Sequence, residues 1–170
     1  VAATLNGTAQ RVVFGNESAT TLSANSGGVV VSGHRGIDFW SNLSSSAGAL
    51  SFVFSGGDLN ILQSEVHLTT LGAAGNIDFS SSGGEVVVSS LPVSISAEHA
   101  SSNVTVSTPI VVNRSSSQFA EFGVYSGNVL ECTSSSTGIR LQGGGGGGHG
   151  ALLNLHSAAL LWDTSSCAID

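Results

Sequence analysis

Lysine is absent from this sequence, and charge of either sign is scarce. Charged residues fill 9% of the 170 positions, against about 25% in an ordinary globular domain. The four arginines, Arg11, Arg35, Arg114 and Arg140, are scattered, and the formal net charge is −7. Nucleic-acid binding needs clustered cations that displace phosphate counterions, so this balance argues against it. No apolar run approaches the roughly 18 residues that a membrane-spanning helix needs. Methionine is missing even from position 1, and no charged-then-apolar leader opens the chain, which reads as a processed mature chain or an excised fragment.

Two cysteines, Cys132 and Cys167, stand late in the chain. An even count in a chain that reads as secreted favours one disulfide over two free thiols. Glycosylation sequons point the same way. They start at Asn6, Asn16, Asn42, Asn103 and Asn113, five where chance would give roughly two or three. Carbohydrate is therefore expected on the protein as covalent glycan, or as a ligand.

What the chain does have is Ser, Thr and Gly, together over a third of its residues. With so little charge, that composition ordinarily signals disorder. The 41% of hydrophobic residues argue otherwise, because they alternate. Residues 48–74 and 75–101 are two consecutive copies of one pattern: Leu50 matches Ile77, Phe52 matches Phe79, Leu59 matches Val86, Ile61 matches Val88, Val66 matches Val93 and Leu68 matches Ile95. The doublet Gly56-Gly57 falls on Gly83-Gly84. Each copy holds three short apolar-x-apolar segments, the period of a strand with one buried face. Such a unit cannot bury its own apolar face and must stack on its neighbours. The expected fold is all-β: one three-faced parallel β-helix (solenoid), about 27 residues per coil and roughly six coils.

Within that single domain, residues 1–20 read as an N-terminal cap or partial coil, 21–122 as regular coils and 123–170 as irregular C-terminal coils or cap. A looser copy runs from Leu22, with Val29-x-Val31 as its second strand and Ile37-x-Phe39 as its third. After the strong copies, Val104-x-Val106, Ile110-x-Val112 and Phe119 or Ala120-x-Phe122 continue the series, with Thr108-Pro109 in place of the glycine doublet; proline suits a corner between strands. The glycine run 143–148 reads as a loop. Residues 151–162 read as two final strands, Leu153-x-Leu155 and Leu160-x-Trp162, with a helical cap as the alternative. The ends of such a rod expose unpaired backbone groups, so end-to-end self-association, or neighbouring domains of a longer chain, are the expected partners.

Chemistry-bearing residues are few. Asp58 and Glu85 follow the two glycine doublets at equivalent positions, so stacking puts them about one strand spacing apart, where two carboxylates can hold a cation such as Ca²⁺. Asp38 and Asp78 fall in different strand series, the third and the first, and so on different faces. His149 and His156 flank the last apolar run, and their spacing matches no recognised zinc pattern. No Gly-x-Ser-x-Gly elbow is present. Outward middle positions read Ser51, Asp78 and Thr105 on one face, Asn60, Val87 and Val111 on the second, and His67 and Ser94 on the third. They form no rank of Thr-x-Thr.

The starts Gly27-Gly28-Val29, Gly56-Gly57-Asp58-Leu59 and Gly83-Gly84-Glu85-Val86, with one Phe39-Trp40-Ser41-Asn42, resemble those of parallel β-helix surface proteins of the autotransporter-passenger and polymorphic outer-membrane repeat types. The resemblance covers about residues 26–112 and implies an architecture and a cell-surface or extracellular habit. A similarity to the β-helical pectate lyases and polygalacturonases would imply polysaccharide cleavage, through Asp58, Glu85 and a further residue. The first expectation is a non-enzymatic extracellular structural or adhesive module, a glycosylated subunit of a surface layer or fibre. Polysaccharide cleavage and ice binding are the alternatives.

Overall fold

The structure, a computed structural model, describes residues 3–7, 12–14, 21–25, 27–114, 120–132, 137–143, 151–162 and 167–169. Every turn of the chain lays down one strand on each of three faces. The first strands are β1 (Ala3–Gly7), β2 (Val12–Phe14) and β3 (Thr21–Ala24). The next turn is β4 (Val29–Gly33), β5 (Ile37–Phe39) and β6 (Asn42–Ser45). The two copies seen in the sequence are β7 (Leu50–Phe54), β8 (Leu59–Ile61), β9 (Val66–Thr70), then β10 (Ile77–Ser81), β11 (Val86–Val88), β12 (Val93–Ala97). After them come β13 (Val104–Ser107), β14 (Ile110–Arg114), β15 (Ala120–Cys132), β16 (Thr137–Gly143), β17 (Ala151–Trp162) and β18 (Cys167–Ile169).

All pairings are parallel, each strand lying on its counterpart one turn later. The first face carries β1, β4, β7, β10 and β13; the second carries β2, β5, β8, β11, β14, β16 and β18; the third carries β3, β6, β9 and β12. Strand β15 spans two faces, its first half on β12 and its second on β13. Strand β17 lies along all of β15, with a register shift between Ser126 and Val129 where the pair turns the corner.

The two copies stack in the register their sequence implies, with Leu50 on Ile77, Leu59 on Val86 and Val66 on Val93. The turn before them is shorter than expected. Val29 lies on Leu50 and Ile37 on Leu59, and both steps along the chain fall short of the steps from Leu50 to Ile77 and from Leu59 to Val86. The doublet Gly27-Gly28 therefore opens a first-face strand, and Val29-x-Val31 and Ile37-x-Phe39 are the first and second strands of their turn, not the second and third. The cause is corner length: residues 34–36, 40–41 and 46–49 bridge corners that take 55–58, 62–65 and 71–76 one turn later. Four turns, β4 to the first half of β15, form the regular body, fewer than the roughly six coils expected; the strands on either side extend the same ladders. The two final strands expected at Leu153 and Leu160 are one long bent strand, β17, with no helix.

The core is the sum of the inward positions. Strands such as β7 and β8 alternate buried and exposed residues, as period-two sequence requires. Val31, Ile37, Leu50, Phe52, Leu59, Ile61, Ile77, Val86 and Val104 are wholly buried. Phe14 and Phe39 stack at 4.8 Å, Phe39 meets Phe52 edge-on at 5.6 Å, and Phe52 stacks on Phe79 at 5.0 Å, so one aromatic column crosses from the second face to the first. Burying each such ring contributes about 1.5–3 kcal/mol. Corners come together backbone to backbone. At Gly36, φ is +106°, which only glycine adopts without strain, and an added Cβ would meet the Asp58 carbonyl at 2.6 Å.

Candidate functional site

Outward polar side chains are bonded mainly from one turn to the next. Asp58 and Glu85 are brought together as expected, but through side chain and backbone: Glu85 N–H donates to Asp58 Oδ1 at 3.0 Å. Asn60 Nδ2 donates to Asp38 Oδ1 at 3.0 Å, which places Asp38 on the second face and corrects its assignment to the third strand series. The shortened turn explains that displacement too. Asp78 is on the first face beside Thr105, its partner one turn later. Burial pushes the Asp78 carboxyl above the ordinary carboxylate range, against the pull of its hydrogen bond with Thr105.

Sequence reasoning missed an asparagine ladder at the entry to the first face. Asn103 N–H donates to Asn76 Oδ1 at 2.9 Å, and Asn128 Nδ2 donates to Asn103 Oδ1 at 2.9 Å, so each amide holds the next turn. The signal was legible: Asn76 and Asn103 occupy matching places in successive turns, each just before the first inward residue. Beside this ladder, inward hydroxyls satisfy corner carbonyls. Ser45 donates to Gly27 O, Ser102 to Gly72 O and Thr108 to Gly84 O, at 3.0, 2.9 and 2.8 Å. Buried polar groups of this kind cost free energy unless paired, and pairing them here fixes the corners.

The sequon residues divide. Asn42 Oδ1 accepts the His67 N–H at 2.8 Å, and Asn103 is in the ladder. Asn113 is half-buried near the end of β14, Asn6 is in β1, and Asn16 lies outside the described residues. Three histidines pair with serines: His34 Nδ1 with Ser55 Oγ at 3.0 Å, His67 Nδ1 with Ser94 Oγ at 2.6 Å, and His99 Nδ1 with Ser101 Oγ at 2.8 Å. His149 and residues 144–148 of the glycine run lie outside the described residues. Among the described residues no three His, Cys, Asp or Glu side chains converge as a metal site would need. No described helix is long and apolar enough to cross a membrane.

The most structured outward cluster is on the third face, where β15 and β17 pair. Tyr125 donates its hydroxyl to Glu121 Oε1, and Asn154 Nδ2 donates to the same oxygen at 3.0 Å and to the Tyr125 oxygen at 3.2 Å. The bond from Tyr125 holds the Glu121 carboxyl below its ordinary range, helped by Asn154, while the Tyr125 hydroxyl is pushed up, chiefly by Glu121. A groove of about 430 Å³ adjoins the ring, lined by Ser96, Glu98, Tyr125, Ser126, His156 and Ser157 among others.

The C-terminal end has a different character. Cys132, at the end of β15, is joined to Cys167, at the start of β18, by the expected disulfide, and Trp162 Nε1 donates to Cys167 O at 2.8 Å. Both cysteines are buried. Beyond them, among the described residues, the core is open. Leu160 is in register with buried Leu130, and Ile169 with buried Ile139, yet they are 54% and 50% exposed.

The chain is thus an all-β parallel solenoid of stacked turns, cross-linked near its C-terminal end by a disulfide. Comparison with protein-family models, curated proteins and solved structures gives no match.

Proposed function

We propose that this chain is a non-enzymatic, extracellular structural module that stacks end to end with a second copy, as a glycosylated subunit of a surface layer or fibre. The observation that carries the reading is the open C-terminal end: Leu160 and Ile169 occupy core register and are half exposed. A strand layer placed there would bury both and pair the edges of β17 and β18 that have no strand partner among the described residues. The N-terminal turn β1–β3 of another copy has the required three-strand shape. The use of Asp58, Asn42, Asn76 and Asn103 as rungs between turns supports a structural role for those side chains. The disulfide and the five sequons support an extracellular setting. The same features favour an adhesive surface habit of the autotransporter-passenger or polymorphic-repeat kind.

Sedimentation velocity and negative-stain electron microscopy across a concentration series test this. Each copy carries a net charge of −7, so assembly should strengthen as salt screens the repulsion. Rods or filaments should form, and Ile169→Lys should abolish them while leaving the circular-dichroism spectrum unchanged. A monodisperse monomer at high concentration and high salt would defeat the stacking reading. A partner found only as the following domain of a longer chain would replace the second copy.

A further inference from the structure

The third face carries a feature that a purely structural rod does not need. Tyr125 and Glu121 point outward from the same strand four residues apart, a separation of about 13 Å. The hydroxyl of Tyr125 reaches the Glu121 carboxylate across that distance. It does so only if the ring lies down along the strand, and Gly123, midway between them, supplies the bed. A Cβ at Gly123 would sit 2.5 Å from Tyr125 Cε2, 2.8 Å from its hydroxyl and 2.9 Å from Cζ. Asn154, opposite Gly123 on β17, bonds both Glu121 and Tyr125 and locks the hydroxyl end. The ring therefore lies along the strand beside Gly123, partly exposed, with Ser96 and His156 in register on the strands to either side.

We infer that Tyr125, Glu121, Asn154 and the adjoining groove form a binding site for a neutral saccharide. A flat aromatic face takes the apolar C–H face of a pyranose ring, and the polar groups around it set the orientation of the hydroxyls. Glu121 uses one oxygen, Oε1, for both of its bonds, and Oε2 has no partner among the described residues. It can accept from a sugar hydroxyl, while Ser96, His156 and Ser157 line the groove beyond the ring. Because the ring is already immobilised, binding does not have to order it. Glu98 also lines the groove, and with Glu121 beside the ring and the overall charge of −7 it disfavours uronates and other acidic sugars. The site uses the outward side chains of β15 and β17, whereas stacking would use the edge of β17, so it holds for a monomer as well as for a rod.

The chain has one tyrosine, which gives a direct readout. Cellohexaose, laminarihexaose, chitohexaose and mannohexaose are titrated at millimolar concentration into the protein, with hexagalacturonate as the acidic control, and the Tyr125 ring resonances are followed by NMR. At least one neutral oligomer should shift the ring signals saturably, and hexagalacturonate should not. Tyr125→Ala should weaken binding by about tenfold or more, Gly123→Ala should weaken it by displacing the ring, and Tyr125→Phe, which keeps the ring but loses the bonds to Glu121 and Asn154 that hold it, should weaken it by less than Tyr125→Ala. Each variant is checked for an unchanged circular-dichroism spectrum. Unmoved ring signals in the wild-type protein with all four neutral oligomers would overturn the inference, whatever the variants do. Binding that survives Tyr125→Ala, or that occurs with hexagalacturonate alone, would overturn it as well.

Discussion

The glycine doublet at 83–84 gives the sharpest test of how the turns meet. In sequence its two members are alike, and in the structure they are not. A Cβ built at Gly83 has nothing within 4 Å, whereas one at Gly84 would overlap the Gly57 carbonyl oxygen, with the Gly57 carbon at 2.8 Å and Phe54 Cε2 at 3.2 Å. Restoring ordinary contact in Gly84→Ala requires the corner to open by about 1 Å. The bonds that hold it shut are Leu59 N–H to Glu85 O at 2.9 Å, Ser82 N–H to Phe54 O at 3.3 Å and Glu85 N–H to Asp58 at 3.0 Å. Weakening two of them costs about 2 kcal/mol at roughly 1 kcal/mol each. Restricting the unfolded chain returns about 0.4–1 kcal/mol. The net loss is about 1–2 kcal/mol, a Tm lower by about 2–8 °C for a chain of this size. Gly83→Ala has only the unfolded-state term, so its Tm should rise by about 1–4 °C. Thermal unfolding followed by far-ultraviolet circular dichroism, with urea titration as a second measure, distinguishes the two. Shifts of the same sign and size would refute the stacking of Gly84 on Gly57.

Two further predictions concern the disulfide and the first face. Closing a loop of 35 residues, Cys132–Cys167 should contribute about 4 kcal/mol by chain entropy, but in a stacked array the loss should stay local. Reduction should strip amide-exchange protection from β16–β18 while β7–β12 keep theirs, and uniform loss along the chain would contradict a turn-by-turn fold. Asp78 gives a pH signature. Its folded-state pKa is raised, so the folded form holds the proton more tightly than the unfolded one, and stability falls as pH rises from about 4. Asp78→Asn should therefore be the more stable protein at pH 7, and its advantage should vanish below the unfolded carboxylate pKa of about 3.9. A Tm difference independent of pH would show that desolvation of the charge is not the cause.

Much of the fold was legible because a solenoid writes its geometry as repetition. The alternation Leu50-x-Phe52, Leu59-x-Ile61, Val66-x-Leu68 identifies three strands with one buried side, and its recurrence as Ile77-x-Phe79, Val86-x-Val88, Val93-x-Ile95 sets the register. The outward ranks Ser51, Asp78, Thr105 and Asn60, Val87 follow directly, whereas Val111, in register with Val87, is buried. Asp38 went to the wrong face because alternation says nothing about corner length, and the turn holding Asp38 has shorter corners at all three positions. The relation of Asp58 to Glu85 was legible as proximity but not as chemistry, since the partner of the carboxylate is a backbone N–H.

Sequence by itself determined the strand type, the inward faces, the in-register stacking of the central turns and the cysteines available for one bridge. These depend on local period and on pairings that repeat, and both are visible along one dimension. Tertiary structure decided the rest: where the short turn β4–β6 aligns, how β15 and β17 bend across two faces, that the core stands open at Leu160 and Ile169, and that Tyr125 lies over Gly123 to reach Glu121. Each of these depends on the path of a corner or the direction of a side chain. Those are settled by contact with the neighbouring turn, and a period in the sequence does not record them.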